Sequence, residues 1–154
     1  MNITVISPGK IKERWLREGI QEYEKRLSRY CTVEVVEVQD SSESLPLHVA
    51  LRQEGERILQ KIGDQDFLIL LDLQGERFDS PAFSRFLSES FSAGGSRIVF
   101  VIGGSQGVSP DVKKRADRSV CFSPMTFTHQ MARLLLLEQC YRGFRIARGE
   151  PYHK

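Results

Sequence analysis

The stretch FSPMTFTHQMARLLLLEQCY, Phe122 to Tyr141, begins as the end of a short strand, continues as a loop and then becomes the most apolar helix of the sequence. Its consecutive leucines, Leu134 to Leu137, point in every direction around a helix, because neighbouring residues are about 100° apart. A helix that is apolar all round is buried all round. One sheet covers only one side of it, so we expect a second copy of the chain to cover another side.

The composition is that of an ordinary soluble globular chain, with 40% hydrophobic and 27% charged residues. Its 154 residues predict one domain, residues 1–154, that buries about two thirds of its unfolded surface. With 22 basic and 20 acidic residues, the chain has no strongly attractive field for nucleic acid, so RNA binding would depend on local basic patches. These patches are Lys10, Lys12, Arg14 and Arg17; Lys113, Lys114, Arg115 and Arg118; and Arg142, Arg145, Arg148 and Lys154. Their alternative interpretation is a solvated helix face.

The three cysteines, Cys31, Cys121 and Cys140, lie far apart without paired spacing, which predicts neither a zinc site nor a disulfide framework. Reduced thiols fit a cytoplasmic protein. The N-terminal run Asn2 to Ile6 is strand-like and lacks the apolar core of a signal peptide. The longest apolar runs are too short to span a bilayer. We therefore expect a cytoplasmic protein with no membrane segment and no metal.

Five strand-like runs alternate with five helical patterns, which predicts an α/β fold with a mostly parallel sheet and helices on both faces. Continuous apolar runs are typical of central strands, whereas the alternating TVEVVEV is typical of a strand nearer the edge. The predicted strands are Asn2–Ile6, Thr32–Val38, Phe67–Leu73, Arg97–Ile102 and Ser119–Phe122. The predicted helices span residues 12–29, 47–62, 80–91 and 111–117, followed by the leucine-rich helix.

Three local patterns add detail to these elements. Ser80-Pro81 and Ser109-Pro110 each predict a capping serine with proline at the first helical position. Trp15 is predicted as a core anchor of the first helix, with a base-stacking platform as the alternative. The polar residues after Gly143 are predicted from composition to fray.

Ligands of open α/β sheets bind beyond the carboxyl ends of the strands. Three predicted loops leave such ends: Leu71–Gly75, Gly103–Gly107 and Phe122–Phe127. The loop GGSQG has neither the dinucleotide spacing nor the Lys-Ser/Thr pair of a phosphate-binding loop, which disfavours nicotinamide and nucleoside-triphosphate enzymes. Its glycines either allow close approach of a ligand or merely make a tight turn. Glu138 and Arg142 form an i, i+4 pair, whose alternative role is a surface salt bridge.

The sequence resembles the single-domain SPOUT RNA methyltransferases, which modify N3 of a pseudouridine in large-subunit (23S) ribosomal RNA. The resemblance runs end to end through segments such as ISPGKIKERW, EYEKRL, LDLQG, VIGGSQGVSP, FSPMTFTHQMARLLLLEQCYRG and PYHK. It implies a parallel α/β sheet with a C-terminal trefoil knot, a homodimer, S-adenosylmethionine as methyl donor, and the assembled ribosome as substrate.

Residue by residue, the resemblance implies two groups of site residues. The donor contacts are Leu71, Gly103, Gly104, Phe122, Ser123, Pro124, Met125, Thr126 and Phe127. The catalytic candidates are His153 for proton handling, Tyr152 for stacking on or hydrogen bonding to the base, and Arg142 for steadying its oxygens or a phosphate. His129 is a second candidate for proton handling.

The sequence departs from the family at two places. The family often has proline at the position of Thr128, although Thr128 can cap the long helix instead. It often has Pro-Glu at the position of Ser105-Gln106, which puts side-chain contacts from that loop in doubt. Two other functions stay open: a ribosome- or RNA-binding factor that has lost catalysis, and a flavodoxin-like nucleotide or flavin module.

Overall fold

The computed structural model describes residues 1–95 and 97–153, and in these residues strands and helices alternate as predicted. The strands are β1 (Asn2–Pro8), β2 (Thr32–Val38), β3 (Phe67–Arg77), β4 (Arg97–Ile102) and β5 (Arg118–Cys121). The helices are α1 (Arg14–Leu27), α2 (Leu47–Leu59), α3 (Ser80–Gly94), α4 (Pro110–Arg115) and α5 (His129–Ala147).

The five strands form one sheet in the order β2-β1-β4-β3-β5, and every neighbouring pair is parallel. The prediction that the alternating strand β2 lies at an edge is confirmed. β3 continues to Arg77, beyond the predicted end, and its pairing with β5 is interrupted between Leu71 and Glu76. Gly75 lies in this interruption, where a Cβ atom would be 2.6 Å from the backbone nitrogen of Val120.

Helices cover both faces of the sheet, which confirms the predicted fold class. Successive strand residues face opposite sides, and Val5 packs in one core cluster while Ile6 packs in another. The first cluster includes residues of α1, α3 and α5, such as Leu16, Phe83 and Leu136. The second includes Ile58 of α2 and Val112 of α4. The trefoil knot stays a prediction.

α5 lies against both α1 and α3. Leu136 and Leu137 are fully buried, whereas Leu134 and Leu135 are half-buried. Much of the cover that we expected from a second copy therefore comes from helices of the same chain, since α1 and α3 flank α5. The homodimer stays a prediction.

Two local predictions are wrong. Trp15 is 61% exposed, because the buried face of α1 runs through Leu16, Ile20 and Leu27, and Trp15 is turned about 100° from Leu16. Ser80 is the first residue of α3 and not its cap.

Asp79 caps α3, since its Oδ1 accepts a hydrogen bond of 2.9 Å from the backbone nitrogen of Ala82. A carboxylate one residue before Ser80 reaches this amide from the N-cap position, and Ser80 Oγ donates to Gln139 Oε1 of α5 instead, at 2.8 Å. The second serine cap is confirmed, because Ser109 Oγ accepts from the backbone nitrogen of Val112 at 3.3 Å.

Candidate active site

A cleft of about 760 Å³ opens beyond the carboxyl ends of β3, β4 and β5. These three strands are neighbours, with Leu71 paired to both Ile102 and Val120, so their following loops meet at one edge of the sheet. The residues predicted to contact a donor line this cleft, with the exception of Pro124: Leu71, Gly103, Gly104, Phe122, Ser123, Met125, Thr126 and Phe127.

The glycine loop after β4 is both a tight turn and a wall of the cleft. The backbone nitrogen of Gly107 donates to the carbonyl of Gly104 at 3.1 Å. A Cβ atom on Gly103 would lie 2.8 Å from the carbonyl oxygen of Gly107, closer than real Cβ contacts allow. The sequence left two roles open for these glycines, and the geometry of the loop is compatible with both together.

The loop after β5 is exposed and has few hydrogen bonds of its own. Met125 is 74% exposed and Phe127 is 43% exposed. Ser123 Oγ accepts from the backbone nitrogen of Met125 at 3.0 Å, and Cys121 Sγ donates to the Ser123 carbonyl at 3.2 Å. Thr128 Oγ1 accepts from the backbone nitrogen of Met131 at 3.2 Å, so the predicted threonine cap of α5 is confirmed.

His129, the first residue of α5, lines the same cleft and is half-buried. Burial lowers the pKa of its imidazole, and the charge of Arg133 lowers it further, while Asp40 acts in the opposite direction. The neutral imidazole is therefore favoured at neutral pH, and a neutral imidazole can accept a proton. Asp40 and His129 lie near each other on either side of Gly9. A Cβ atom built on Gly9 would be 3.5 Å from Asp40 Oδ2 and 3.7 Å from His129 Nε2.

Several residues of the cleft were not among the predicted donor contacts. Leu51 of α2, Asp72 and Lys113 of α4 all line it. Asp72 lies in the predicted loop Leu71–Gly75, so the rule about strand ends indicated its place, although it was not singled out as a donor contact. Leu51 carries no local signal, and Lys113 was predicted only as part of a basic patch. Both reach the cleft only through the packing of α2 and α4 against the sheet.

The three predicted catalytic residues, Arg142, Tyr152 and His153, lie together. Arg142 Nη1 is 3.2 Å from His153 Nδ1, and its guanidinium carbon lies 4.7 Å from the centre of the Tyr152 ring. Arg142 also pairs with Glu138, which accepts a hydrogen bond of 3.2 Å from the Tyr152 hydroxyl. The i, i+4 pair is thus part of a cluster. We call Glu138, Arg142, Tyr152 and His153 the tail cluster.

The tail is docked as far as His153, so the fraying expected from composition is wrong there. The Tyr30 hydroxyl donates to Glu150 Oε2 at 2.8 Å, and Arg145 Nη2 donates to the Pro151 carbonyl at 2.8 Å. The Tyr152 and Tyr23 hydroxyls lie 3.2 Å apart. Burial, followed by this hydrogen bond, raises the pKa of Tyr152. Lys154, a predicted member of the terminal basic patch, lies outside the described residues.

The tail cluster and the cleft are separate within one chain. None of the cluster residues is among those that line the cleft. α5 rises by about 1.5 Å per residue, so Arg142 lies roughly 20 Å along its axis from His129. The structure therefore brings the predicted donor residues together, and the predicted catalytic residues together, at two different places.

The family model described as "Predicted SPOUT methyltransferase" matches residues 1–153. The chain belongs to the SPOUT methyltransferase family. As a member of this family it is a methyltransferase, and methyl transfer requires a methyl donor.

Full-length relatives of this SPOUT methyltransferase carry names that refer to ribosomal RNA. The protein named Ribosomal RNA large subunit methyltransferase H from Clostridium kluyveri is 49% identical over 159 residues, covering 100% of both chains. Ribosomal RNA large subunit methyltransferase H 1 of Clostridium perfringens, strain SM101, is 51% identical over 160 residues, again covering 100% of both. Ribosomal RNA large subunit methyltransferase H of Carboxydothermus hydrogenoformans is 50% identical over 159 residues, with the same full coverage.

Residues 1–95 and 97–153 offer neither a metal-binding group nor a membrane-spanning helix. Within these residues, His, Cys, Asp and Glu side chains form no group of three or more that could hold a metal ion. The helices described there are too short or too polar to cross a membrane.

Proposed function

We propose that this SPOUT methyltransferase transfers a methyl group from S-adenosylmethionine to N3 of a pseudouridine in 23S ribosomal RNA, on assembled ribosomal particles in the cytoplasm. The observation that carries the proposal is the identity of about half of all residues, from end to end, with relatives named for methylation of large-subunit ribosomal RNA. The resemblance of the sequence supplies the pseudouridine and its N3 atom as the target.

The residues of the cleft fit a small-molecule donor. Its volume of about 760 Å³ is within the range of roughly 300–1,000 Å³ that is usual for ligand pockets. At Gly103 the wall of the cleft is bare backbone, because a side chain there would collide with Gly107. Leu71, Phe122 and Phe127 supply apolar surface. We propose that these residues, with Gly104, Ser123, Pro124, Met125 and Thr126, hold the donor.

S-adenosylmethionine, when bound, supplies a methyl group on a positively charged sulfur. The work of the protein is then to position the acceptor and to remove its proton, because an imide N3–H is a poor nucleophile until it is deprotonated. We propose that His153 removes the N3 proton and that Tyr152 stacks on the base or hydrogen-bonds to it. Arg142 would then bind the oxygens of the base or a phosphate. His129 is the second candidate for the proton, since its neutral form is favoured at neutral pH.

The protein acts as a homodimer in this proposal, and the tail of one protomer completes the cleft of its partner. The supporting observation is the separation of roughly 20 Å along α5 between Arg142 and His129 of one chain. A tail docked by Tyr30 and Arg145 cannot cross this distance without losing its hydrogen bonds. The single domain of residues 1–154 and the trefoil knot belong to the same proposal.

Mass spectrometry of ribosomal RNA tests the activity. Ribosomes from a strain that lacks the modification are incubated with the protein and donor, and we expect one added methyl group at a pseudouridine. Donor binding in calorimetry without any added methyl group would instead indicate the binding factor that has lost catalysis. Absence of donor binding would contradict the whole proposal.

Mixed dimers test the composite site. A His153→Ala protomer keeps its cleft and a Gly103→Val protomer keeps its tail, so the mixed dimer has one complete site if tails act across the dimer. We expect each pure variant to be inactive and the mixture to recover methyl transfer. A mixture as inactive as its parts would contradict the exchange of tails.

A further inference from the structure

Arg133 is the largest of the fully buried side chains, with an exposed fraction of 0%. It lies one helical turn after His129 in α5. Its Nη1 donates to Glu37 Oε2 at 2.8 Å, and its Nη2 donates to the carbonyls of Pro8 and Gly9, each at 3.0 Å. The predicted SPOUT site uses none of these groups, so this network calls for its own explanation.

The network joins α5 to the carboxyl ends of β1 and β2, at the edge of the sheet that carries the cleft. Pro8 is the last residue of β1 and Gly9 follows it. The nitrogen of Gly9 donates to the Val38 carbonyl of β2 at 2.9 Å. Glu37 Oε2 also accepts from the backbone nitrogen of Ile11 at 2.9 Å. The chain from Pro8 to Ile11 is thereby held from both sides, by β2 and by Arg133 in the second turn of α5.

The β1–α1 loop in turn borders the glycine loop of the cleft. β1 and β4 are neighbouring parallel strands, and a Cβ atom on Gly104 would lie 3.8 Å from Cγ of Pro8. Arg133 therefore connects the helix end that follows Phe127 with the segment that supports Gly104. These are two of the three walls of the cleft.

A buried arginine contributes little net stability to a fold by itself. Removing its charge from water is expensive, and a hydrophobic side chain of similar volume is often as stabilising. Its Nε is buried without a hydrogen-bond partner among the described residues. Its benefit is geometric, because a planar guanidinium with several donors in a fixed arrangement sets the distances between the groups it joins.

We propose that Arg133, held by Glu37, is a positioning residue that sets the donor-binding geometry of the cleft by tying the second turn of α5 to the end of β1 and the start of the β1–α1 loop. The inference rests on the proposed function, since it concerns the same cleft. Arg133 touches neither donor nor RNA in this assignment; it acts through the backbone of Pro8, Gly9 and the helix start.

Arg115 is a matched control at the opposite end of the sheet. Its Nη2 donates to the carbonyls of Gly63 and Asp66, at 3.0 and 2.8 Å, and its Nη1 donates to Asp117 Oδ2 at 3.2 Å. It thus joins two carbonyls and a carboxylate, as Arg133 does, but near the amino end of β3. Arg115→Met should lower the melting temperature and leave donor affinity within twofold of wild type.

The experiment measures donor affinity by calorimetry for wild type, Arg133→Met, Arg133→Lys, Glu37→Gln and Arg115→Met, well below each melting temperature. We expect Arg133→Met to bind S-adenosylmethionine about tenfold more weakly, a loss of about 1.4 kcal/mol, because the cleft walls that Arg133 aligns are then displaced. Arg133→Lys and Glu37→Gln should weaken binding less. The turnover number should fall with Arg133→Met while KM for ribosomes stays unchanged.

The binding stoichiometry separates positioning from partial unfolding. Irreversibly unfolded protein lowers the number of sites per chain but leaves Kd of the folded fraction unchanged, whereas a displaced loop raises Kd at full stoichiometry. Reversible unfolding would also raise the apparent Kd, and measuring well below the melting temperature keeps that contribution negligible. Unchanged Kd in Arg133→Lys and Glu37→Gln, and in whatever folded fraction Arg133→Met retains, would overturn the inference. Failure of the wild type to bind the donor would overturn the proposed function instead, so the two failures are distinguishable.

Discussion

The loop before α5 and the tail after it both lack regular structure, yet they are held in different ways. The loop Phe122–Phe127 is largely exposed, and its side-chain hydrogen bonds connect neighbours such as Ser123 and Met125. The tail forms hydrogen bonds across the whole chain, from Glu150 to Tyr30 and from Tyr152 to Tyr23. The loop is therefore held mainly where it joins β5 and α5, whereas the tail is held by contacts along its whole length.

This difference fits the two ligands of the proposed reaction. A loop that encloses a small molecule gains contacts when the molecule binds, so it can remain open beforehand. Side chains that must meet one nucleotide of a large RNA benefit from being ordered in advance, because ordering them on binding weakens affinity. We therefore expect changes in the tail to affect methyl transfer, and changes around the cleft to affect donor binding.

The largest effect is expected from His153→Ala. Loss of a group that accepts the N3 proton should reduce methyl transfer by at least about 100-fold. Donor affinity should stay unchanged, because in the proposed site His153 acts on the RNA base and is not among the residues that hold the donor. Methyl incorporation into ribosomal RNA and calorimetry measure the two quantities. His48→Ala, on the exposed start of α2, is the control and should change neither. Full activity of His153→Ala would remove this residue from the proposal and leave His129 as the candidate.

The next effect is expected from the glycine loop. Gly103→Ala places a Cβ atom 2.8 Å from the Gly107 carbonyl oxygen, and such overpacking typically costs about 1–3 kcal/mol. We expect donor affinity to fall by roughly tenfold. Gly63→Ala is the control, since Gly63 does not line the cleft and its added Cβ would have its nearest contact, Asp66 Oδ2, at 3.4 Å. Equal donor affinity in the two variants would show that the wall at Gly103 does not shape the cleft.

The sequence predicted the cleft well because its rule is local. The end of each strand can be predicted from the local sequence, as at Ile102, where the apolar run stops before Gly103. The carboxyl ends of parallel strands then lie at the same edge of the sheet. Element types were predictable for the same reason, since the continuous run of β4 and the alternation of β2 are properties of neighbouring residues.

The wrong and missing predictions depend on positions that are distant in sequence or on shifts of one residue. Trp15 and Leu16 differ by one step around α1, and only the packed sheet decides which of the two is buried. Asp79 and Ser80 are both good cap residues, and Gln139 of α5 offers Ser80 another partner. The docking of the tail on Tyr23 and Tyr30 joins residues more than a hundred positions apart, which no local pattern encodes.

A moderate effect is expected from Tyr30→Phe, which tests the docked tail. The change removes the hydroxyl that donates to Glu150 and keeps the ring stacked on Phe144, whose centre is 5.3 Å away. We expect a loss of about 1 kcal/mol in the free energy of unfolding and a several-fold loss of methyl transfer, with donor affinity unchanged. Tyr141→Phe is the control, since its ring contacts with Tyr23 and Tyr152 are preserved. A parallel loss of donor affinity in Tyr30→Phe would mean that tail and cleft are not independent.

The smallest effect concerns His129, where the loop joins α5. Its pKa is lowered by burial and by Arg133, with Asp40 opposing, so the folded protein releases this proton more readily than the unfolded chain. Below about pH 6.5 the unfolded chain binds the proton first, and the free energy of unfolding should fall as the pH decreases through the lowered pKa. His129→Gln removes this contribution, so its stability relative to wild type should increase from pH 7 to pH 5 in urea unfolding. His48→Gln gives the reference for a histidine on an exposed helix. A relative stability of His129→Gln that is constant or decreases over this range would contradict the buried environment assigned to the loop's end.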